Sequence, residues 1–498
     1  MKCALVIPSW IPEDLFPTKT AGSQINYWQP LGTLYVASSL IEQGHEVRFY
    51  NGAFMSHQEI MQQLQEFAPR FVGLYSTTFG WPRAVTTAKA IKALHDEAFI
   101  CIGGPYPTAV AEQCLTNSDN SIDAVIFGEA EITAPELVAA LENHQTLHNI
   151  DGIVFRHGDQ VVKNPPRELI EDLDSLPFPA RHLLGEAEEH YLPPPATYKR
   201  TPVAVVITSR GCNRRCIYCS QFDQKRKSGV RGIRYRSIEN VLDEIEYCLK
   251  RGYKEIKFID DTLASDYDRA MQLCQGIKER GLDFTWFASA CANQVDKPLL
   301  QAMKDAGCWA ILFGAESGVQ KNLNTLRKGI KLEHVRAAVK AAKEVGLKVS
   351  TPFIIGIPGE TYEEALKTIE FAIELNPDIA NFHALTPFPG THLHNNIEKY
   401  GSIAHNLEEY TYQGAAFVPF TMSRRQIQEL RQMAFKRFYG RPSFLFKKVL
   451  QLRTMSDCKA AYNGVRSLIW LYLKKGIFNK KDNKKDNKKG SDKVLNVG

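Results

Sequence analysis

The chain has 498 residues, 44% of them hydrophobic and 23% charged, ordinary values for globular proteins and enough length for two to three cores. No window approaches the roughly 18 uninterrupted apolar residues of a membrane span. The formal charge of +6 is supplied by residues 474–498, nine lysines against three aspartates, so the near-neutral body offers no electrostatic ground for binding nucleic acid.

The start, "MKCALVIPSWIPEDL", lacks the apolar core and cleavage site of a signal peptide, and a cytoplasmic location is expected. Short apolar runs then alternate with segments of helical period: "CALVIP", "LGTLYVASSLIEQG", "HEVRFYN", "HQEIMQQLQEFA", "FVGLYST", "PRAVTTAKAIKALH", "FICIGG", "DAVIFGE" and "ITAPELVAAL". This alternation predicts a doubly wound parallel sheet of five strands over residues 1–145. Ligands bind such sheets beyond the carboxyl ends of the strands, which selects three turns: "YSTTFGW" with Ser76 and Thr77, "GGPYPT" with Gly103 and Gly104, and "GEAE" with Gly128 and Glu129. Glycines there let a bulky ligand approach the backbone. No GxGxxG follows the first strand, which argues against a nicotinamide or flavin site.

Residues 146–200 are dense in proline and read as an extended linker. A second alternating series fills residues 201–395, with strands at "VAVVITS", "EIKFID", "FTWFASA", "WAILFGAE", "VSTPFIIG" and "IANFHAL". Six strand–helix units predict a partial (β/α)6 version of the eight-unit barrel. Residues 396–473 read as mostly helical, and the lysine-rich tail 474–498 as disordered. Within them "SLIWLYLKKGIFNKK" suits either peripheral contact with an anionic membrane or a core-packing helix followed by a solubilising tail.

Three of the eleven cysteines, Cys212, Cys216 and Cys219, cluster in "RGCNRRCIYCSQ". Thiolates favour zinc, copper(I) and iron–sulfur clusters, and the unequal spacing is not the paired pattern of zinc ribbons. A 4Fe-4S cubane held by three cysteines leaves one iron open to a small molecule; a zinc site or buried thiols is the alternative. The other cysteines are scattered in apolar contexts and behave as small hydrophobes. From Arg210 to Arg236, nine lysines and arginines face one acid, Asp223, which suits either attraction of an anionic ligand or electron donor or a solvated face.

"CNRRCIYC" resembles the CxxxCxxC motif of radical S-adenosylmethionine (SAM) enzymes, with Tyr218 as the aromatic before the last cysteine. "FIDD" with Asp260, "FGAESG" with Glu316 and "FIIGIPGE" with Gly356 and Gly359 resemble that family's strand-end motifs in the same order. The resemblance implies a cluster held by Cys212, Cys216 and Cys219, SAM bound at its open iron, and one-electron cleavage to methionine and a 5'-deoxyadenosyl radical. It further implies Glu316 against the ribose or amino-acid part, Gly356 to Gly359 along the adenine, and Lys328 of "LRKG" at the SAM carboxylate.

Residues 1–145 resemble the cobalamin-binding domain that precedes the barrel in one large subgroup, although the DxHxxG histidine motif has no counterpart and the first histidine is His45. That resemblance implies cobalamin and methylation of an unactivated carbon of a small-molecule or lipid-like substrate, with a flavodoxin or ferredoxin as reductant. "LPFPARHLL", "TPFPGTHLHNN" and "RFYGRP" resemble the subgroup of anaerobic magnesium-protoporphyrin monomethyl ester cyclase and the hopanoid-modifying proteins, which keeps radical oxidation or cyclisation as the alternative. A non-catalytic zinc-binding interaction protein is the alternative from another class.

Overall fold

The protein is described by a computed structural model that covers residues 1–9, 27–193, 197–220, 232–411 and 414–450. The lysine-rich tail, the amphipathic segment 467–481 and Cys458 lie outside the described residues. No helix among the described residues is long and apolar enough to cross a membrane.

The N-terminal sheet has seven strands, in the order β2-β1-β3-β4-β5-β6-β7. The first five are β1 (Lys2–Ile7), β2 (Glu46–Asn51), β3 (Phe71–Tyr75), β4 (Phe99–Gly103) and β5 (Ala124–Ile126), all parallel. Alternation along β1 explains why both faces carry helices. Ala4 and Val6 pack into one core, Cys3 and Leu5 into another, because successive side chains point to opposite faces.

The expected linker contributes structure of its own, which corrects the five-strand reading. β6 (Ile153–His157) and β7 (Gln160–Lys163) extend the sheet as antiparallel strands. The run "IVFRH" is short and β-branched, and its buried Ile153, Val154 and Phe155 join the two cores; the surrounding prolines masked that signal.

The second sheet is all parallel, in the order β15-β14-β13-β12-β11-β8. Its strands are β8 (Val203–Val206), β11 (Glu255–Phe258), β12 (Thr285–Ala290), β13 (Cys308–Phe313), β14 (Lys348–Ile355) and β15 (Ile379–Ala384). Six neighbours in chain order, with helices on the outer face in the connections between them, make an open barrel. Between β8 and β11, the two-residue strands β9 (Ser209–Arg210) and β10 (Arg234–Tyr235) pair antiparallel and bracket the cysteine loop.

The C-terminal region is not purely helical, since β16 (Gly401–Ile403) and β17 (Phe417–Pro419) pair as a hairpin. The helix Arg424–Tyr439 then covers the free edge of the barrel. Ile427, Leu430, Ala434 and Phe438 enter the main core at helical spacing. The Tyr439 hydroxyl accepts from Ala380 N (3.0 Å) and donates to Ala380 O (2.8 Å), satisfying edge groups of β15 that would otherwise face solvent.

Candidate active site

The cysteine loop leaves β9 through Gly211, at φ +97°. A Cβ there would lie 2.8 Å from Gly232 O, so the two ends of the loop approach as only glycine allows. Ile217 anchors the middle: its N–H donates to Leu326 O (3.1 Å), its carbonyl accepts from Leu393 N (2.9 Å), and its side chain packs against Leu326, Ile354 and Leu385. Around that anchor Cys212 and Cys216 are half-buried and Cys219 is exposed.

Burial raises the Cys212 thiol and pushes Cys216 up to about 11, with the neighbouring cysteines adding to both. Bound iron would offset that cost, because a coordinating thiol is deprotonated outright. Three soft donors on one half-open loop fit a cubane, whose cysteines each take a different iron.

Beside the loop, the structure brings together Tyr218, Glu316, Lys328 and Cys216. Lys328 Nζ lies 2.6 Å from Glu316 Oε1 and 3.4 Å from the Tyr218 hydroxyl. Burial opposes the charge on Lys328, but Glu316, Tyr218 and Cys216 together hold it well above the usual lysine range. Burial and Glu316 raise the Tyr218 phenol well above its ordinary value. Glu316 sits at φ +58°, uncommon for a residue with a side chain, and is pinned by Glu316 N to Pro352 O (3.0 Å) and Ile354 N to Glu316 O (2.7 Å). A carboxylate and an ammonium held side by side complement the amino and carboxylate groups of SAM.

Several contributors escaped the sequence reading. A Cβ on Gly314 would lie 2.6 Å from Glu316 Oε1 and 2.7 Å from Lys328 Nζ, so a side chain there would displace the ends of that pair. Glu360 accepts from Gly356 N (2.7 Å), Ile357 N (3.2 Å) and Asn322 Nδ2 (3.1 Å), shaping the turn that holds Gly356 and Gly359 at positive φ. Both residues lie inside the quoted "FGAESG" and "FIIGIPGE", and their roles need the folded turn to be seen. His383, on β15, is pushed down to about 4 by burial and Arg431 and is neutral near pH 7.

Asp260, expected among the cofactor-binding residues, lies just past the end of β11 beneath the cysteine loop. It is buried, accepting from Thr208 N (3.1 Å), Thr208 Oγ1 (2.8 Å) and Ser209 Oγ, and it ties β11 to the start of the cysteine loop.

In the N-terminal domain, Ser76, Thr77, Gly103, Gly104 and Gly128 all gather at the carboxyl ends of β3, β4 and β5. Ser76 N donates to Gly103 O (2.9 Å), and a Cβ on Gly104 would lie 2.6 Å from Ser76 O. Gly128, at φ +88°, has nothing within 4 Å of its would-be Cβ, so it forms an open glycine step. This shelf of small residues fits the close approach of a large, flat cobalamin. His45 abuts the N-terminal amine at 3.2 Å, at the opposite end of the sheet, and so is no part of the shelf.

Glu129, expected among the cofactor-binding residues, has its carboxylate paired with arginines of the second domain. Arg234 binds it with two contacts of 2.8 Å, Arg210 Nη1 lies at 3.0 Å, and Ile170 N donates at 2.9 Å. Arg210 Nη2 also reaches Glu131 at 2.6 Å, and Arg236 pairs with buried Glu244. Part of the basic stretch is thus neutralised within the fold; residues 221–231 lie outside the described residues.

Residues 206–372 match the Radical SAM superfamily and residues 21–138 the B12 binding domain. An uncharacterized methyltransferase of Pyrococcus horikoshii is 35% identical over 463 residues, covering 91% of this chain and 95% of the relative. The anaerobic magnesium-protoporphyrin IX monomethyl ester cyclase of Rubrivivax gelatinosus is 26% identical, covering 84% and 75%. The radical SAM methyltransferase TsrM from Kitasatospora setae, solved with tryptophan substrate and a SAM analogue bound, shares the fold with a TM-score of 0.67 at 16% identity, over 89% of this chain and 90% of that one.

Proposed function

The chain belongs to the radical SAM enzymes that carry a B12 binding domain, and on that premise we propose that it transfers a methyl group from SAM, by way of cobalamin, to an unactivated carbon of a small-molecule or lipid-like substrate. When bound, the cluster supplies the single electron that splits SAM, and cobalamin carries the methyl group. Cys212, Cys216 and Cys219 hold the cluster, Glu316 and Lys328 the amino and carboxylate groups of SAM, and the turn from Gly356 to Gly359 supports the adenine. Ser76, Thr77, Gly103, Gly104 and Gly128 receive cobalamin.

One observation carries this reading. Arg210, two residues before Cys212, reaches Glu129 and Glu131, which follow the open step at Gly128. This ion pairing ties the start of the cysteine loop to the turn beside Gly128, which supports a reaction that uses both cofactors. A flavodoxin or ferredoxin, drawn to the basic rim of the loop, would serve as reductant in a cytoplasmic setting.

The test is anaerobic reconstitution, followed by incubation with a reductant and SAM carrying a trideuterated methyl group, with products separated by mass spectrometry. Iron–sulfur absorbance, retained cobalamin and a trideuteromethylated product are expected. SAM cleavage without cobalamin or methyl incorporation would replace methylation with the oxidation or cyclisation for which the Rubrivivax relative is named. A colourless zinc protein would end the enzyme reading.

A further inference from the structure

Lys257 lies in the middle of β11, in register with Val205 on β8 and Phe287 on β12. Its neighbours Ile256 and Phe258 enter the outer core, so Lys257 faces the inner side of the barrel. It is 5% exposed, yet the contact of its ammonium with a protein acceptor is Thr197 O at 3.5 Å, a marginal hydrogen bond. The rest of its surroundings are ring faces: the nitrogen lies 3.2 Å from the Phe287 centroid and 5.2 Å from that of Trp28.

The adjacent carboxylate on the same face, Glu255, acts on Lys257 through its charge but makes no direct ion pair with it. Glu255 Oε1 accepts from Trp309 Nε1 (2.9 Å), and Oε2 accepts from Lys199 N (2.7 Å), Arg200 N (2.6 Å) and Thr285 Oγ1 (2.8 Å). Those four donors saturate the group, and among the described residues no ion pair with Lys257 forms. Burial pushes Lys257 down to about 7, a cost that the charge of nearby Glu255 offsets only in part. Two aromatic faces can hold an ammonium in place but leave its hydrogen-bonding capacity open.

We propose that Lys257 is a specificity-determining residue that binds an anionic oxygen group, carboxylate or phosphate, of the substrate on the inner face of the barrel. Calling the ligand a substrate rests on the methyltransferase reading, whereas anion binding itself does not depend on turnover. An N–H donor set pointed at anionic oxygens, between apolar walls that exclude water, makes such a contact stronger than the same contact at the surface.

The experiment measures thermal unfolding of the full, anaerobically reconstituted protein against sodium phosphate and, separately, sodium acetate, with chloride holding ionic strength constant. At tenfold excess over the dissociation constant, one anion should raise Tm by about 2 °C in the wild type and in Lys257→Arg, and not in Lys257→Met. Whichever of phosphate or acetate acts at lower concentration identifies the group. Without anion, Lys257→Met should be at least as stable as the wild type, because it removes a buried charge that is only partly compensated. An equal anion response in Lys257→Met, no response in the wild type, or a marked loss of stability in Lys257→Met would each overturn the assignment. SAM cleavage without an anion response would remove this role from Lys257 and leave the enzyme reading intact; an anion response without SAM cleavage would do the reverse.

Discussion

Replacing Arg210 with methionine should unlock the two domains on the side where the cofactors meet. The guanidinium lies 2.6 Å from Glu131 and 3.0 Å from Glu129, and the three side chains are 16%, 6% and 11% exposed. At an effective dielectric constant of about 20, each contact is worth roughly 5 kcal/mol of gross attraction, most of it offset by desolvation. Glu129 keeps Arg234, whereas Glu131 is left buried without a cation, so the expected loss is about 3 kcal/mol. A double-mutant cycle with Glu131→Gln, read by urea unfolding, should return a coupling energy of about 2 kcal/mol, and the double variant should recover most of the lost stability. Cobalamin retention should fall in Arg210→Met while iron content is unchanged. Additive effects, with coupling under about 0.5 kcal/mol, would refute the lock.

The same network has a pH signature. Burial opposes ionisation of Glu129, but Arg234 and Arg210 win and hold it below the ordinary glutamate range. Because the folded value is the lower one, its stabilisation is complete above the unfolded pKa of about 4.3 and is lost as pH falls through the folded value; acid titration of cobalamin release should follow that window. Alanine at Cys212, Cys216 or Cys219 should abolish the iron–sulfur absorbance and SAM cleavage while the N-terminal domain still binds cobalamin. Gly314→Ala, whose methyl would displace the ends of the Lys328 and Glu316 side chains, should cut SAM cleavage by about tenfold at normal iron content with little loss of stability. Gly128→Trp should block cobalamin, read as loss of the corrin spectrum after gel filtration, while leaving cluster assembly unchanged; retained corrin would move the cofactor away from that step.

Amino-acid order alone determined the two αβ series, the strand ends that carry ligands, and the cysteine loop. These are local: the period of apolar residues reports which faces are buried, and a CxxxCxxC spacing brings its own donors together. The sequence motifs named Tyr218, Glu316 and Lys328 separately, and only the folded structure brings the three side chains together. Charge was the least legible property. Nothing in "GEAE" distinguishes a cofactor ligand from a residue paired with the other domain's arginines, and nothing in "EIKFID" separates saturated Glu255 from Lys257 with its single long hydrogen bond. An ionisable side chain is defined by its partners, and some of those lie more than a hundred residues away in the chain, so tertiary structure alone decided which charges hold the domains together.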